Sequence, residues 1–213
     1  MSHPEPPDQR DLWIAAYDHD PTLAGKTSRF IDDCLAVLPP TSRVLELGCG
    51  PGWDAAAMAR AGHTVTAIDF APNVIAANRE RYSGIPNLTF IEGRIDSPYP
   101  FPNAAFDAVY AHLTLHYYRD AATRDIFTEI RRVLTPGGLL LFACKSPQDP
   151  AWGRGVEIEP DLFDLNGKVR HFFSEDYARS LLADGFTEIR TDSHTGKLYR
   201  QKAGWITAIA RAT

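Results

Sequence analysis

Apolar positions along the chain alternate between two patterns. Short continuous runs, Val44-Leu45-Glu46-Leu47, Thr64 to Asp69, Asn87 to Glu92, Phe106 to Ala111 and Leu139 to Ala143, read as strands. Runs of this kind suit strands buried on both faces of a parallel sheet. Between them, apolar residues recur at helical spacing. Phe30, Ile31, Cys34, Leu35 and Leu38 form one such face, closed by Pro39-Pro40, and Ala55 to Ala61 forms another. Pro72 starts a third, with Val74, Ile75 and Ala77. Ala121 to Leu134 carries Ile126, Phe127, Ile130, Val133 and Leu134 on one side, and Pro136-Gly137-Gly138 stops it. Ser174 is placed to cap a helix running to about Ala183. Phe186 to Asp192 and Trp205 to Ala210 are two final strands, joined by a segment too short for a crossover helix and therefore antiparallel.

This alternation predicts an α/β fold, a Rossmann-like doubly wound sheet of about seven strands, mostly parallel with an antiparallel last strand. The 213 residues suffice for one domain. Residues 1–11, polar and proline-rich, are expected to be a flexible tail, and 12–213 a single domain. Within it, 146–173 reads as an inserted lid segment, a loop rich in proline, glycine and aromatics over the sheet's working edge. Trp13 and Tyr17 belong either to a core-packing N-terminal helix or to a flap over a ligand site.

Composition narrows the partners. A net charge of -5 argues against nucleic-acid phosphates as the main partner. Cys34, Cys49 and Cys144 have neither zinc-ligand spacing nor a disulfide framework, so a reducing cytoplasm and no metal are expected. No signal peptide and no membrane span are visible. The pattern leaves the oligomeric state open.

The stretch Glu46-Leu47-Gly48-Cys49-Gly50-Pro51-Gly52-Trp53-Asp54 reads as strand, tight turn, helix, the place where open α/β sheets bind ligands. Two acids beside the turn repel phosphate and favour an ammonium or sulfonium. The glycines are spaced G-x-G-x-G, and Trp53 stands where a dinucleotide fingerprint needs its third glycine. No phosphate-binding P-loop sequence is present.

These residues, together with Asp69, resemble the class I S-adenosylmethionine-dependent methyltransferases. The similarity extends through Phe106-Asp107-Ala108-Val109-Tyr110 and Arg132 to Gly138, and spans roughly Leu12 to Ala210. Val169 to Ser174 and the small size resemble the short, tellurite-resistance-type members. The resemblance implies S-adenosylmethionine as cofactor and S-adenosylhomocysteine as product. It places Gly48, Cys49 and Gly50 against the methionine part, with Glu46 and Asp54 complementing its ammonium, unless Glu46 only holds the turn. Asp69 would take the ribose hydroxyls or else cap a helix, and Phe70 would pack on adenine. The family's adenine-contacting acid falls on Arg94, followed by Ile95. Either Asp96 takes that role two residues late, or only the Ile95 backbone contact survives. Tyr17, Ala111 and His112 complete the expected cofactor wall.

The acceptor side is expected after the fourth strand and beneath the 146–173 insert. His112 and His116, four residues apart, would align on a helical turn. Either is a candidate general base, or both simply pack. His116, Tyr117, Trp152, Arg154 and His171 are the candidate substrate contacts, against ordinary loop packing. Ala111-His112-Leu113-Thr114 lacks the Asn/Asp-Pro-Pro-aromatic signature of nucleic-acid amino methylation. A small-molecule acceptor is therefore expected. The alternatives are a catalytically silent cofactor-binding partner subunit and a nicotinamide-dependent oxidoreductase.

Overall fold

The computed structural model describes residues 9–19, 27–198 and 201–213. Residues 1–8 of the expected tail, and Asp20-Pro21 of an expected turn, lie outside the described residues. In chain order the elements are α1 (Arg10–His19), α2 (Phe30–Val37), β1 (Arg43–Leu47), α3 (Trp53–Arg60), β2 (Thr64–Asp69), α4 (Pro72–Arg81) and β3 (Leu88–Glu92). β4 (Phe106–His112), a short 3-10 turn (Leu115–Tyr117), α5 (Asp120–Val133) and β5 (Leu134–Lys145) follow. The chain continues with β6 (Val156–Glu159), β7 (Leu162–Leu165), β8 (Lys168–His171), α6 (Glu175–Leu182), β9 (Phe186–Leu198) and β10 (Gln201–Ala212).

The main sheet has seven strands in the order β3-β2-β1-β4-β5-β10-β9. β1 pairs in parallel with β2 and β4, β2 with β3 and β4 with β5. β10 is antiparallel to both of its neighbours, β5 and β9. This is the mostly parallel sheet with an antiparallel last strand that the apolar runs imply.

Alternation of side chains along each strand splits the core into two layers. On β4, Val109 and Ala111 face the layer closed by Ile126, Phe127 and Ile130 of α5 and Leu182 of α6. Ala108 and Tyr110 face the opposite layer, closed by Ile31 of α2, Met58 of α3 and Ile75 of α4. Burying each such aliphatic side chain stabilises the fold by roughly 1.5–3 kcal/mol.

Three boundaries differ from the reading of the sequence. α1 begins at Arg10, inside the segment read as a tail, because Leu12 to Tyr17 recruits a turn of polar residues before it. The closing hairpin is longer than its apolar stretches, since the pairing continues through polar residues from Thr191↔Ala208 to Leu198↔Gln201. The 146–173 insert is not a loop. Its second half is a three-stranded antiparallel sheet, β6-β7-β8. Asn166 and Gly167 take left-handed φ of 56° and 82° between Leu165 and Lys168, the two-residue turn that joins hairpin strands.

Because β1, β2 and β4 run parallel, their carboxyl ends open on one edge. That edge collects Gly48, Asp69 and His112, and the β6-β7-β8 sheet reaches the same place through contacts of β8 with the Leu115–Tyr117 turn.

Candidate active site

The turn after β1 bends through three left-handed glycines. Gly48, Gly50 and Gly52 have φ of 64°, 47° and 74°. At Gly48 a Cβ would overlap the Thr114 side chain, so this residue is glycine for both conformation and space. At Gly50 a Cβ would stand 2.9 Å from the Tyr17 hydroxyl. The turn is pinned from outside. Gly50 N–H donates to Asp69 Oδ2 at 2.9 Å, Asn78 Nδ2 donates to Gly50 O at 2.7 Å, and Cys49 N–H donates to Ile68 O at 3.0 Å. Trp53 opens α3 and lies edge-on to Tyr82 with Arg81 over its ring. It therefore does not intrude between helix and sheet.

Three buried acids surround this turn: Glu46, Asp54 and Asp69. Asp54 Oδ2 accepts from the Tyr110 hydroxyl at 2.7 Å and Oδ1 from Ser28 N–H at 2.9 Å. Glu46 accepts from the Ala55 amide, but its Oε2 is buried with no partner among the described residues. Burial, then repulsion by Asp54 and Asp69, pushes the Glu46 carboxyl well above the usual carboxylate range. Burial also raises Asp69, against three backbone amides, those of Ala71, Gly50 and Phe70, which favour its charged form. Asp69 thus holds the turn and the start of α4 together.

The acids open into a cavity of about 960 Å³. Twelve of the thirteen residues expected around the cofactor line it: Tyr17, Glu46, Gly48, Cys49, Gly50, Asp54, Asp69, Phe70, Arg94, Ile95, Asp96 and His112. Arg94 and Asp96 form a bidentate pair, with Nε to Oδ1 at 2.9 Å and Nη2 to Oδ2 at 2.7 Å. Ala111 does not line the cavity, because it points from β4 into the core layer closed by α5 and α6.

The acceptor-side expectations need more correction. Tyr117 lines the cavity and His116 does not. Leu113 takes a left-handed φ of 56°, which ends any continuous helical turn, so the two histidines diverge. His116 is buried and its Nδ1 accepts from Lys145 N–H at 3.4 Å. His112 stays at the strand end, its Nδ1 4.0 Å from Asp54 Oδ2. Burial holds the His112 imidazole down to about 4, with Asp54 pulling upward and Lys145 downward. Trp152, Arg154 and His171 are not in the cavity wall. The Trp152 indole donates to Asp161 Oδ1 at 2.8 Å on the exposed side of the small sheet, and Arg154 is exposed in the preceding turn. His171 is packed between the rings of Phe173 and Tyr177.

The insert instead supplies Lys168 and Arg170 to the cavity. They share a face of β8, one residue out of phase with His171, and the Asn166-Gly167 turn that sets this register is the signal that finds them. Thr114 and Lys145 are further lining residues that strand patterning does not single out. Of the five buried side-chain polar atoms without a partner among the described residues, three belong to cavity-lining residues: Gln9 Oε1, Glu46 Oε2 and Arg170 Nε. Buried polar groups are nearly always satisfied, so this concentration marks a site built for a polar ligand.

Cys34, Cys49 and Cys144 are buried free thiols, each raised by burial, so none is poised as a thiolate. Among the described residues no helix is long and apolar enough to cross a membrane.

Comparison with known proteins agrees with this geometry. Residues 44–138, which carry the glycine turn, Asp69 and β4, match the family model described as a methyltransferase domain. An uncharacterized methyltransferase of Synechocystis sp. is 27% identical over 160 residues, covering 75% of this chain and 73% of that protein. A fatty-acid O-methyltransferase of Mycolicibacterium smegmatis is 37% identical over 123 residues, 55% of this chain but only 43% of the relative's length. In fold, the chain is similar to 1,6-didemethyltoxoflavin-N1-methyltransferase of Burkholderia thailandensis, solved with S-adenosylhomocysteine bound. The TM-score is 0.73 at 22% identity, over 96% of this chain and 87% of that one. Over residues 44–138 the chain matches a methyltransferase domain, and over nearly its whole length it has the fold of that solved methyltransferase.

Proposed function

We propose that the chain transfers a methyl group from S-adenosylmethionine to a small-molecule acceptor held in the cavity between the glycine turn and the β6-β7-β8 sheet. The observation that carries this reading is the buried, unpartnered Glu46 Oε2 beside a turn of close-packed glycines. A buried acceptor surrounded by two further acids calls for a cationic donor, which the ammonium of the cofactor supplies. In this reading Glu46 and Asp54 hold that end, Gly48 and Gly50 let the backbone come close, and Phe70 and Ile95 flank the adenine. A carboxylate has about four acceptor sites. Two are taken on Asp69 by the Gly50 and Ala71 amides, leaving two for the ribose hydroxyls.

When bound, the cofactor supplies an electrophilic methyl group. The chain's part is to orient and to exclude water. Tyr17 and Trp13 of α1 close one side, and Gln9 Nε2 ties that helix to Tyr117 O at 3.3 Å. A proton acceptor at about 4 makes His112 a weak base, and His116 lies outside the cavity. The site therefore suits an acceptor that is already nucleophilic at neutral pH. Incubation with methyl-labelled S-adenosylmethionine and a metabolite extract tests the reading. Label is expected in a small-molecule fraction. Cofactor binding with no label in any fraction would instead favour a silent partner subunit.

Two further outcomes follow. Placing an ammonium beside Glu46 must pull its raised carboxyl back down, so binding releases protons and affinity falls as pH drops through the raised value. Calorimetry of S-adenosylhomocysteine in buffers of different ionisation enthalpy should show this release, and Glu46→Gln should abolish it. Asp96→Ala is expected to weaken S-adenosylhomocysteine binding about fivefold, the net value of one hydrogen bond. If Arg94→Ala alone weakens it, Asp96 does not read the adenine.

A further inference from the structure

Six cations line the cavity: Arg10, Arg94, Arg119, Lys145, Lys168 and Arg170. Four of them stand within salt-bridge distance of a carboxylate. The pairs are Arg10–Glu92 at 3.8 Å, Arg94–Asp96 at 2.7 Å, Arg119–Glu159 at 2.8 Å and Lys145–Asp149 at 2.7 Å. Lys168 and Arg170 have no carboxylate partner among the described residues, and they sit two residues apart on one strand. We propose that the methyl acceptor carries an oxyanion, a carboxylate or a phosphate, and that Lys168 and Arg170 hold it. This rests on the methyltransferase reading above and names the substrate class for that site.

Three observations support it beyond the count of charges. First, Arg170 Nε is a buried donor with no acceptor among the described residues, while the rest of the guanidinium hydrogen-bonds Tyr117. Leaving such a group unsatisfied costs roughly 1–3 kcal/mol or more for a charged group, and a ligand oxygen removes the cost. Guanidinium groups match the flat, two-oxygen edge of carboxylate and phosphate.

Second, aromatic rings hold both cations in place. Lys168 Nζ lies 4.4 Å from the Trp13 ring centroid and the Arg170 guanidinium 5.9 Å from that of Tyr117. Trp13 and Tyr117 pack edge to face at 5.3 Å, so one aromatic block positions the pair. Two like charges on adjacent same-face positions of a strand repel each other, and burial, with Arg170 as the smaller cause, depresses the Lys168 ammonium. An anion between them reverses that repulsion.

Third, charge is sorted by element. Glu46 of β1, Asp54 of α3 and Asp69 at the end of β2 flank the glycine turn, whereas the two cations come from β8 on the insert. A cationic cofactor and an anionic acceptor would each meet the opposite sign.

The test uses the whole chain loaded with S-adenosylhomocysteine, titrated with octanoate, octyl phosphate and the neutral isostere octanamide by calorimetry. At least one anion is expected to bind about tenfold or more tightly than the amide, the scale of a charge-assisted contact. The tighter of the two anions assigns carboxylate or phosphate. The preference should shrink as salt rises, and should vanish in Lys168→Ala/Arg170→Ala. Equal binding of amide and anions, no binding of any of the three, or a preference insensitive to salt and to both substitutions overturns the inference. S-adenosylhomocysteine is titrated first into each protein. A chain that binds it without preferring anions overturns this inference alone. A wild-type chain that does not bind it overturns the methyltransferase reading and this inference with it.

Discussion

Asp69→Ala is expected to lower the affinity for S-adenosylhomocysteine by about tenfold to a hundredfold. The carboxylate accepts from Gly50 N–H at 2.9 Å and Ala71 N–H at 3.0 Å. Removing it loses one of the three hydrogen bonds that pin the turn and leaves two buried donors unsatisfied, at roughly 1–3 kcal/mol each. Thermal unfolding should therefore shift down as well. Loss of the turn and loss of a ribose contact separate in a double cycle, in which the second change is made on the ligand. Removing a ribose hydroxyl from S-adenosylhomocysteine should weaken binding to the wild-type chain and have little further effect on Asp69→Ala. If the ligand change costs the same in both proteins, Asp69 serves the backbone only. Asp69→Asn is not a mild replacement, because its amide would face a backbone donor with another donor.

Gly48→Ala is the second large effect. The added methyl group meets the Thr114 side chain, and φ of 64° costs a non-glycine residue roughly 1–2 kcal/mol. Cofactor affinity should fall by about tenfold or more, since the turn must move away from Thr114 and from the ligand. Gly48→Ala/Thr114→Ala removes the steric part and leaves the conformational part, so about half of the lost binding free energy should return. Wild-type binding by Gly48→Ala alone would show that the backbone does not approach as closely as the geometry requires.

How much of this could be read in advance depended on how local the chemistry was. The strand, glycine turn and helix from Val44 to Ala61 are set by adjacent residues, and their order, spacing and acids by themselves point to a cationic ligand. The two faces of β4 followed from its unbroken apolar run. The insert was illegible for a physical reason. Its prolines and aromatics suggest a loop, and they mask Asn166-Gly167, the short turn that makes β7 and β8 a hairpin. Without the hairpin the conspicuous side chains are Trp152 and Arg154, rather than Lys168 and Arg170, which only strand alternation places toward the cavity. The histidine pair failed similarly. Four-residue spacing aligns side chains only on a helix, and the left-handed Leu113 breaks it. His171 is a buried aromatic-packed histidine, which no spacing argument separates from a ligand-facing one.

The hydrogen bond from Gly50 N–H to Asp69 Oδ2 shows the converse. Asp69 was readable as a site acid from its place at the end of β2. That its carboxylate also accepts from two backbone amides is a tertiary fact, and it adds a tether to the ribose role expected of it.

The most direct test of the central claim is calorimetric titration of the wild-type chain with S-adenosylhomocysteine at neutral pH, beside Glu46→Gln. The account predicts saturable one-to-one binding in the micromolar range, with affinity reduced in the variant because the buried acceptor for the ammonium is neutralised. No heat at high micromolar ligand, or equal binding by Glu46→Gln, would contradict it.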